Sequence, residues 1–223
     1  IRDSLNFLRM LDLIDVNVES VFSDLGRKLS NILGGDVEVT LNERGDKEIR
    51  FKIDDGKVIL NLITSSSMVQ QLSTLSLYLK HVAKFGDLII IDEPESNLHP
   101  EAQVKFAELI AEMVNRGLWV IITTHTPFIL ESLNVFMKAY VIAQKNEELK
   151  KQVMEVVKNE NALLNPDLVG VYLFKRDGTI ENIKKDYVID EESFRKVFDE
   201  LGSKFTELLI IEDIYESYFD QEE

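Results

Sequence analysis

The chain has 223 residues, a formal net charge of −15 and a hydrophobic content of 45%, which fits one large globular domain or two small ones. It contains no cysteine, which excludes disulfides and thiolate metal sites and leads us to expect a cytoplasmic protein. There is no run of eighteen apolar residues that would predict a membrane span, and the acidic balance does not support a nucleic-acid-binding surface.

The first part of the chain is predicted to combine a helical segment, residues 1–34, with a set of short strands, residues 35–64. Apolar residues recur at helical spacing as far as the Gly34-Gly35 pair: Val18, Val21, Phe22, Leu25, Leu29, Ile32 and Leu33. Apolar residues then alternate over 37–41, 49–53 and 58–62, with breaks at Arg44-Gly45-Asp46 and Asp54-Asp55-Gly56. This alternation predicts a three-stranded antiparallel meander with an Asp-Gly turn.

Residues 65–145 alternate between helices and strands. A helix is predicted to follow Thr64-Ser65-Ser66-Ser67 and to end at Gly86, and a helix over 101–116 carries Val104, Phe106, Leu109, Ile110 and Met113 on its inner side. Strands are predicted at 88–91, 119–123 and 139–143, with a short helix near 127–133. This alternation is typical of a parallel sheet with right-handed crossovers, and the continuous apolar run from Leu88 to Ile91 indicates a strand buried on both faces.

Residues 146–223 are predicted to form a C-terminal α+β extension. It begins with a helix over 147–159 and continues with a hairpin, in which VGVYLF and TIENI flank the turn Arg176-Asp177-Gly178. Two amphipathic helices are predicted to complete the chain.

Two carboxylates directly follow the strand predicted at 88–91. The carboxyl ends of strands in open α/β sheets face the ligand crevice, so Asp92 and Glu93 lie where a ligand would bind. The first acid can hold Mg²⁺, usually through water, and the second can orient an attacking water or accept its proton. The competing interpretation is a strand that runs into a solvated acidic turn.

Two further polar groups could reach the same crevice. His125 follows the strand predicted at 119–123 and can donate a hydrogen bond to a terminal phosphate oxygen, although it could equally cap the helix near Pro127. The serines at 65–67 begin a helix, whose N-terminal N–H groups and positive dipole end form an anion site. The competing interpretation is an ordinary serine N-cap.

Taken in order, these motifs resemble a known family. A hydroxyl-rich helix start, LIIIDEP, SNLHP and TTH resemble the ATP-binding-cassette class of P-loop ATPases, and most closely its soluble branch of SMC-like and overcoming-lysogenisation-defect-type ATPases. The resemblance covers roughly residues 30–145. It makes LIIIDE the Walker B strand, ESNLHP the D-loop and TTH the switch histidine. TSSSMVQQLSTLSLYL corresponds to the signature helix, with Ser66 at the signature serine and Ser67 where the family usually has glycine.

The resemblance implies ATP and Mg²⁺ as cofactors and an ATP-dependent, head-to-tail homodimer with two composite sites. The implied site residues are, from one subunit, Asp92 for the metal with Glu93 and His125 for catalysis, and, from the other subunit, Ser65, Ser66, Ser67, Ser96 and Asn97 for the nucleotide.

One part of such a site is missing from the sequence. A phosphate-binding loop needs G-x-x-x-x-G-K-[ST], and only Gly56 precedes a lysine, with Val58 where serine or threonine is required. In the family this Walker A segment lies N-terminal to the matched residues. We therefore interpret the chain as the C-terminal portion of a longer ATPase. The expected fold is an incomplete ABC-type α/β domain, with a parallel sheet, flanking helices, the antiparallel meander and the α+β extension.

Three classes of function remain open from the sequence. The leading hypothesis is an ATPase that acts as a nucleotide-dependent dimer switch on an effector. The second is a non-catalytic interaction module. The third is a nuclease or defence system, because LLIIE at Leu208–Glu212 faintly resembles the strand that begins a toprim domain. Asp213 replaces the expected glycine, however, and a terminal amphipathic helix is the favoured interpretation of this segment. Zinc is not expected, since His81, His99 and His125 lack ligand spacing.

Overall fold

The structure is a computed structural model that describes residues 11, 14–53, 56–62, 65–190 and 192–219. The helices are α1 (Ser23–Ile32), α2 (Ser67–His81), α3 (Pro100–Asn115), α4 (Pro127–Ala143), α5 (Glu147–Val157) and α6 (Glu192–Phe219). The strands are β1 (Asp36–Leu41), β2 (Lys47–Ile53), β3 (Val58–Asn61), β4 (Leu88–Asp92), β5 (Trp119–Thr123), β6 (Tyr172–Phe174), β7 (Ile180–Asn182), β8 (Lys184–Lys185) and β9 (Val188–Ile189). Together they confirm the predicted mixture of α and β structure.

The predicted meander is confirmed as an antiparallel sheet in the order β1-β2-β3. Val37 pairs with Phe51 and Val39 with Ile49, so the alternating apolar residues share one face. Val37, Ile49 and Phe51 are buried on that face. The turn between β1 and β2 has Gly45 at a φ of 84°, a conformation that glycine adopts without strain. Asp54 and Asp55 of the second predicted turn lie outside the described residues.

Of the helical segment predicted over residues 1–34, the described residues confirm α1 and a helical residue 11, while residues 1–10 and 12–13 lie outside the described part. Residues 14–22 form turns instead, with local side-chain to backbone bonds that compete with a helix. The side chain of Asp15 accepts from the N–H of Asn17, and Ser20 Oγ accepts from the N–H of Phe22. Val18 and Val21, which fitted the helical spacing, are more than half exposed.

Strands β4 and β5 form the predicted parallel pair, in which Asp92 and Thr123 are partners at the carboxyl ends. The prediction that β4 is buried on both faces was wrong. Ile89 is buried, but Leu88 and Ile90 on the opposite face are more than half exposed. Their partners in β5, Trp119 and Ile121, are also more than half exposed. One face of this pair is therefore packed on the core and the other is an apolar surface.

The strand predicted at 139–143 is the last part of helix α4. Between Pro127 and Ala143 there is no internal proline or glycine to end the helix, and the buried side chains recur at helical spacing. They include Ile129, Leu133, Phe136 and Met137, and Ala139 and Ala143 continue the same pattern. Helix α3 agrees with its prediction, except that Val104 is largely exposed.

The C-terminal extension begins with helix α5, as predicted, and contains the predicted antiparallel hairpin, formed by β6 and β7. After the hairpin, the described residues form the single helix α6, where two helices were predicted. Helix α6 runs for 28 residues and contains Gly202 without interruption. Leu208–Glu212 lies within this helix, which confirms the amphipathic helix predicted there and excludes the toprim-like strand that was its alternative. The described residues divide into two compact units, one up to residue 170 with 186–188 and one of 171–185 with the residues from 189 onward. The four-segment division made from the sequence is finer and stays a prediction.

Helix α2 is held in place by a buried polar network. Lys80 Nζ donates to Asp36 Oδ1 at 2.6 Å and to the carbonyl of Val37 at 2.7 Å, which joins α2 to β1. The hydroxyls of Ser30 and Ser76 lie 2.9 Å apart and join α2 to α1. The two helices approach closely, because a Cβ at Gly26 would lie 2.7 Å from the carbonyl oxygen of Ser76. Among the described residues, no helix has the length and apolar content needed to cross a membrane.

Candidate functional site

The carboxyl ends of β4 and β5 bring together the polar residues that follow them. Thr123 Oγ1 donates a hydrogen bond to Asp92 Oδ1 across the strand pair. The backbone N–H of Glu93 donates to the carbonyl and the hydroxyl of Thr123, at 3.2 and 3.1 Å. Glu93 has a φ of 44°, so the chain turns sharply there. Thr123 was missed from the sequence, although a threonine that ends an apolar strand beside an acid was a usable signal.

Glu93 and His125, both predicted as catalytic, lie side by side. His125 Nε2 is 3.4 Å from Glu93 Oε1, and both side chains are well exposed. His125 is not a helix cap, since Thr126 fills that position and its hydroxyl accepts from the N–H of Phe128. Exposed side chains at a strand end are free to meet a ligand, so the pair fits a role in chemistry better than a role in packing.

The loop after β4 carries Ser96 and Asn97, the predicted D-loop residues. The N–H of Ser96 donates to the carbonyl of Glu93 at 3.0 Å, and its hydroxyl lies 3.4 Å from Glu93 Oε2. Asn97 has a φ of 67° and is exposed at the tip of the loop. Asn97 is therefore open to solvent in the same loop that carries Glu93 and Ser96.

A third acid in this loop, Glu95, was not assigned a role from the sequence. Its Oε1 accepts from the N–H of His125 at 2.6 Å and from the hydroxyl of Thr124 at 2.9 Å. Its Oε2 is buried and has no hydrogen-bond partner among the described residues. The loops that follow the two strands are thus joined by one carboxylate.

The three serines at the start of α2 have different surroundings. Ser66 is the N-cap, and its hydroxyl accepts from the N–H of Val69 at 3.4 Å. Ser65 is buried and donates to the carbonyl of Asn61 at 3.1 Å. Ser66 and Ser67 are exposed. The cap geometry expected of an ordinary N-cap is present, and a role of these serines at a partner's nucleotide stays a prediction.

Helix α2 also contacts the strand end through a residue that the sequence did not single out. Gln71 Nε2 lies 3.4 Å from the carbonyl oxygen of Asp92 and 3.3 Å from that of Glu93. The first turns of α2 are therefore tied to the acids at the end of β4.

The donor set fits a Mg²⁺ ion that arrives with a nucleotide better than a metal held by protein alone. In the described ranges there is no group of three or more metal-ligating side chains. Asp92 offers one carboxylate, oriented by the hydroxyl of Thr123. Mg²⁺ is commonly bound through one or two carboxylates, with water and substrate phosphates completing its shell, so Asp92 would hold it and the phosphates would supply further ligands.

Comparison with solved structures found SMC proteins at low sequence identity. One has the description "Structural biochemistry of ATP-driven dimerization and DNA stimulated activation of SMC ATPases". Its sequence is 17% identical to this one, the alignment covers 81% of this chain and 92% of the other chain, and the TM-score is 0.44. An Smc head bound to the C-terminal winged-helix domain of ScpA is 23% identical over 59% of this chain and 40% of its own, with a TM-score of 0.41. The SMC head domain from Thermotoga maritima is 20% identical over 52% of this chain and 42% of its own, with a TM-score of 0.34.

The comparison with curated proteins found no match. Among protein families, the model described as "AAA ATPase domain" matches residues 9–130, which is more than half of the chain and includes the start of α2, both strand ends and His125. On this match, the chain belongs to the AAA ATPase domain family.

Proposed function

We propose that this chain supplies the hydrolytic half of an ATP-hydrolysing site. The observation that carries the proposal is the meeting of Asp92, Glu93 and His125 at the carboxyl ends of two paired parallel strands. Bound Mg-ATP supplies the phosphoanhydride bond and a metal that neutralises phosphate charge. Asp92 would hold the metal, Glu93 orients the attacking water and takes its proton, and His125 donates to the terminal phosphate as the phosphoanhydride bond breaks and ADP leaves.

The phosphate-binding loop comes from a segment outside this sequence. No G-x-x-x-x-G-K-[ST] motif is present in the 223 residues, so the backbone donors of such a loop must be added. The exposed apolar face of Leu88, Ile90, Trp119 and Ile121 supports this view, because parallel sheets are normally covered on both faces. A segment that adds strands and covers this face would place its loop at the same strand ends.

The complete ATPase works as an ATP-dependent homodimer. Ser66 and Ser67 at the start of α2 and Asn97 in the D-loop are exposed, as residues that serve a second subunit must be. Ser65 anchors the start of α2 by donating a hydrogen bond to the carbonyl of Asn61, and Ser96 holds the D-loop beside Glu93 by donating to its carboxylate. Hydrolysis opens the dimer and so controls an effector.

The test uses a form of the protein that also carries a phosphate-binding loop, called here the loop-containing form. It should hydrolyse ATP in the presence of Mg²⁺ and dimerise when ATP is added. Glu93→Gln keeps the size of the side chain and removes its charge, so it should abolish turnover and leave an ATP-bound dimer in size-exclusion chromatography with light scattering. Glu155→Gln, which changes an exposed acid of α5, is the matched control. Wild-type turnover by Glu93→Gln would reject the proposal.

A non-catalytic interaction module is the second candidate. The observation in its favour is the row of exposed apolar residues along α6, which includes Phe198, Leu201, Phe205 and Leu208. The same ATPase measurement distinguishes the two functions. A loop-containing form that binds a protein partner but hydrolyses nothing would favour the second.

A further inference from the structure

Glu95 lies between the two loops that carry the proposed catalytic residues. It sits two residues after Glu93, and its Oε1 receives the backbone N–H of His125 and the hydroxyl of Thr124. The nitrogen of His125 lies 2.6 Å from this oxygen and the hydroxyl of Thr124 lies 2.9 Å from it. One carboxylate oxygen therefore links the D-loop to the switch histidine through two hydrogen bonds.

A second polar link runs parallel to this one and supports it. Thr126 Oγ1 donates to Gln103 Oε1 at 2.7 Å, and Gln103 Nε2 donates to the carbonyl of Leu98 at 2.9 Å. The hydroxyl of Thr124, which donates to Glu95, also accepts from the N–H of Thr126 at 3.2 Å. Gln103 and Thr126 are buried, and their link joins the two loops at Leu98 and Thr126. Glu95 joins the same loops closer to Glu93, at Thr124 and His125.

The position of His125 depends on its backbone more than on packing. Its side chain is 84% exposed, so few neighbours restrict the imidazole. Glu95 instead holds the backbone of His125, because its Oε1 accepts the hydrogen bond from the His125 N–H. The loop on the other side turns through left-handed residues at Glu93 and Asn97, a conformation that neighbouring contacts must maintain.

We propose that Glu95 is a positioning residue that sets His125 against Glu93 by accepting the His125 N–H, and that it acts through geometry alone. Both oxygens argue against a direct chemical role. Oε1 already accepts two hydrogen bonds, and Oε2 is buried away from the crevice solvent. A general base must reach the proton it takes, directly or through one water. The consequence for hydrolysis rests on the proposed function, whereas the geometric part does not.

The geometric part is tested on this chain without nucleotide. Amide hydrogen exchange of His125 is followed by NMR in wild type, Glu95→Ala and Glu95→Gln. Glu95→Ala removes the acceptor, so exchange at His125 should become about ten- to a hundredfold faster while the amides of β4 and β5 keep their rates. Glu95→Gln keeps an acceptor oxygen and should stay within about tenfold of wild type. Unchanged exchange at His125 in Glu95→Ala would overturn the proposal.

The functional part is tested on the loop-containing form by steady-state kinetics. Glu95→Ala should lower kcat at least about tenfold and leave KM for ATP within about threefold, since His125 loses its position while the phosphate loop is intact. Glu95→Gln should recover most of kcat, which a catalytic acid or base could not do. An inactive Glu95→Gln, or an unimpaired Glu95→Ala, would overturn the positioning role. Hydrolysis by Glu93→Gln would instead reject the proposed function and leave the exchange result standing.

Discussion

The imidazole of His125 and the carboxylate of Glu93 lie 3.4 Å apart, although they follow different strands of the sheet. The parallel register of β4 and β5, in which Asp92 pairs with Thr123, brings these two residues to one edge. Neither side chain is used in packing. Strand register therefore brings the two residues to one edge, where a single small ligand group could meet both.

His125→Ala in the loop-containing form should lower kcat by about a hundredfold, because one hydrogen-bond donor to developing phosphate charge is removed. ATP affinity should change by less than about threefold, since the loop supplies most of the contacts to the bound nucleotide. Single-turnover hydrolysis and equilibrium binding measure the two quantities separately. An equal loss of ATP and ADP affinity would show that His125 does not act on the terminal phosphate.

The chain as it stands should bind Mg-ATP weakly, with a Kd above about 1 mM, because the backbone donors of a phosphate loop are absent from its sequence. Isothermal titration calorimetry checks this directly, and Asp92→Asn serves as the matched variant for any residual metal-dependent heat. A micromolar Kd that Asp92→Asn abolishes would mean that these residues already form a phosphate site.

The parts of the fold that followed from local pattern were predictable. Strands β4 and β5 are short apolar runs that end in polar residues, and β1 to β3 alternate with glycine turns, so the signals needed no tertiary information. Helix α4 was predicted too short because AYVIA has strand-like composition, and its burial on a helix face appears only in three dimensions. Residues 14–22 were predicted as helix because their apolar spacing outweighed the local bonds of Asp15 and Ser20.

The placement of three candidate residues was also predictable. Asp92, Glu93 and His125 stand at or just beyond the ends of strands, and this position follows once the strands are known. Glu95, Thr123 and Gln71 were missed because their roles depend on contacts between distant loops and a helix. Such contacts leave no periodic signal in one sequence. The exposed face of β4 and β5 was missed for a related reason, since an apolar run does not reveal what covers it.

The link between α2 and the meander should depend on pH through Asp36. Burial by itself would raise the pKa of this carboxyl, but the hydrogen bond and charge of Lys80 outweigh it and hold the pKa below its usual value. A lowered folded-state pKa means that the ionised form stabilises the fold. The contribution is therefore complete above the unfolded pKa of about 4 and is lost as pH falls through the lower folded pKa.

Asp36→Asn should reduce the free energy of unfolding at pH 7 by about 1–2 kcal/mol. This is less than for a fully buried pair, since the Asp36 side chain is 46% exposed and solvent screens part of the interaction. Urea unfolding at several pH values is the measurement, and the difference from wild type should shrink below about pH 4. Glu101→Gln, which breaks an exposed pair with Lys105, is the control and should have little effect. A difference that persists unchanged in acid would show that the charge of Asp36 is not its cause.

Ser66 provides a test of the dimer that is independent of the fold. If it serves the nucleotide of the other subunit, Ser66→Arg blocks that site in trans and leaves its own subunit's phosphate loop intact. A helix N-terminus and a hydroxyl stabilise phosphate only at hydrogen-bond range, so the effect should not reach the site in cis. Ser66 is exposed and its hydroxyl makes only a long cap bond, so arginine fits without disturbing the core.

Mixing two inactive loop-containing variants, Ser66→Arg and Glu93→Gln, should therefore restore hydrolysis. Each homodimer has two broken sites. In the heterodimer, one composite site carries both changes and the other carries neither, so activity should approach half that of wild type per heterodimer if the two sites work independently. Native mass spectrometry gives the fraction of heterodimers, and a mixture of Ser66→Arg with a Ser66→Arg, Glu93→Gln double variant is the control that should stay inactive. Heterodimers without activity would mean either that the two sites hydrolyse only together or that Ser66 is only the N-cap of α2.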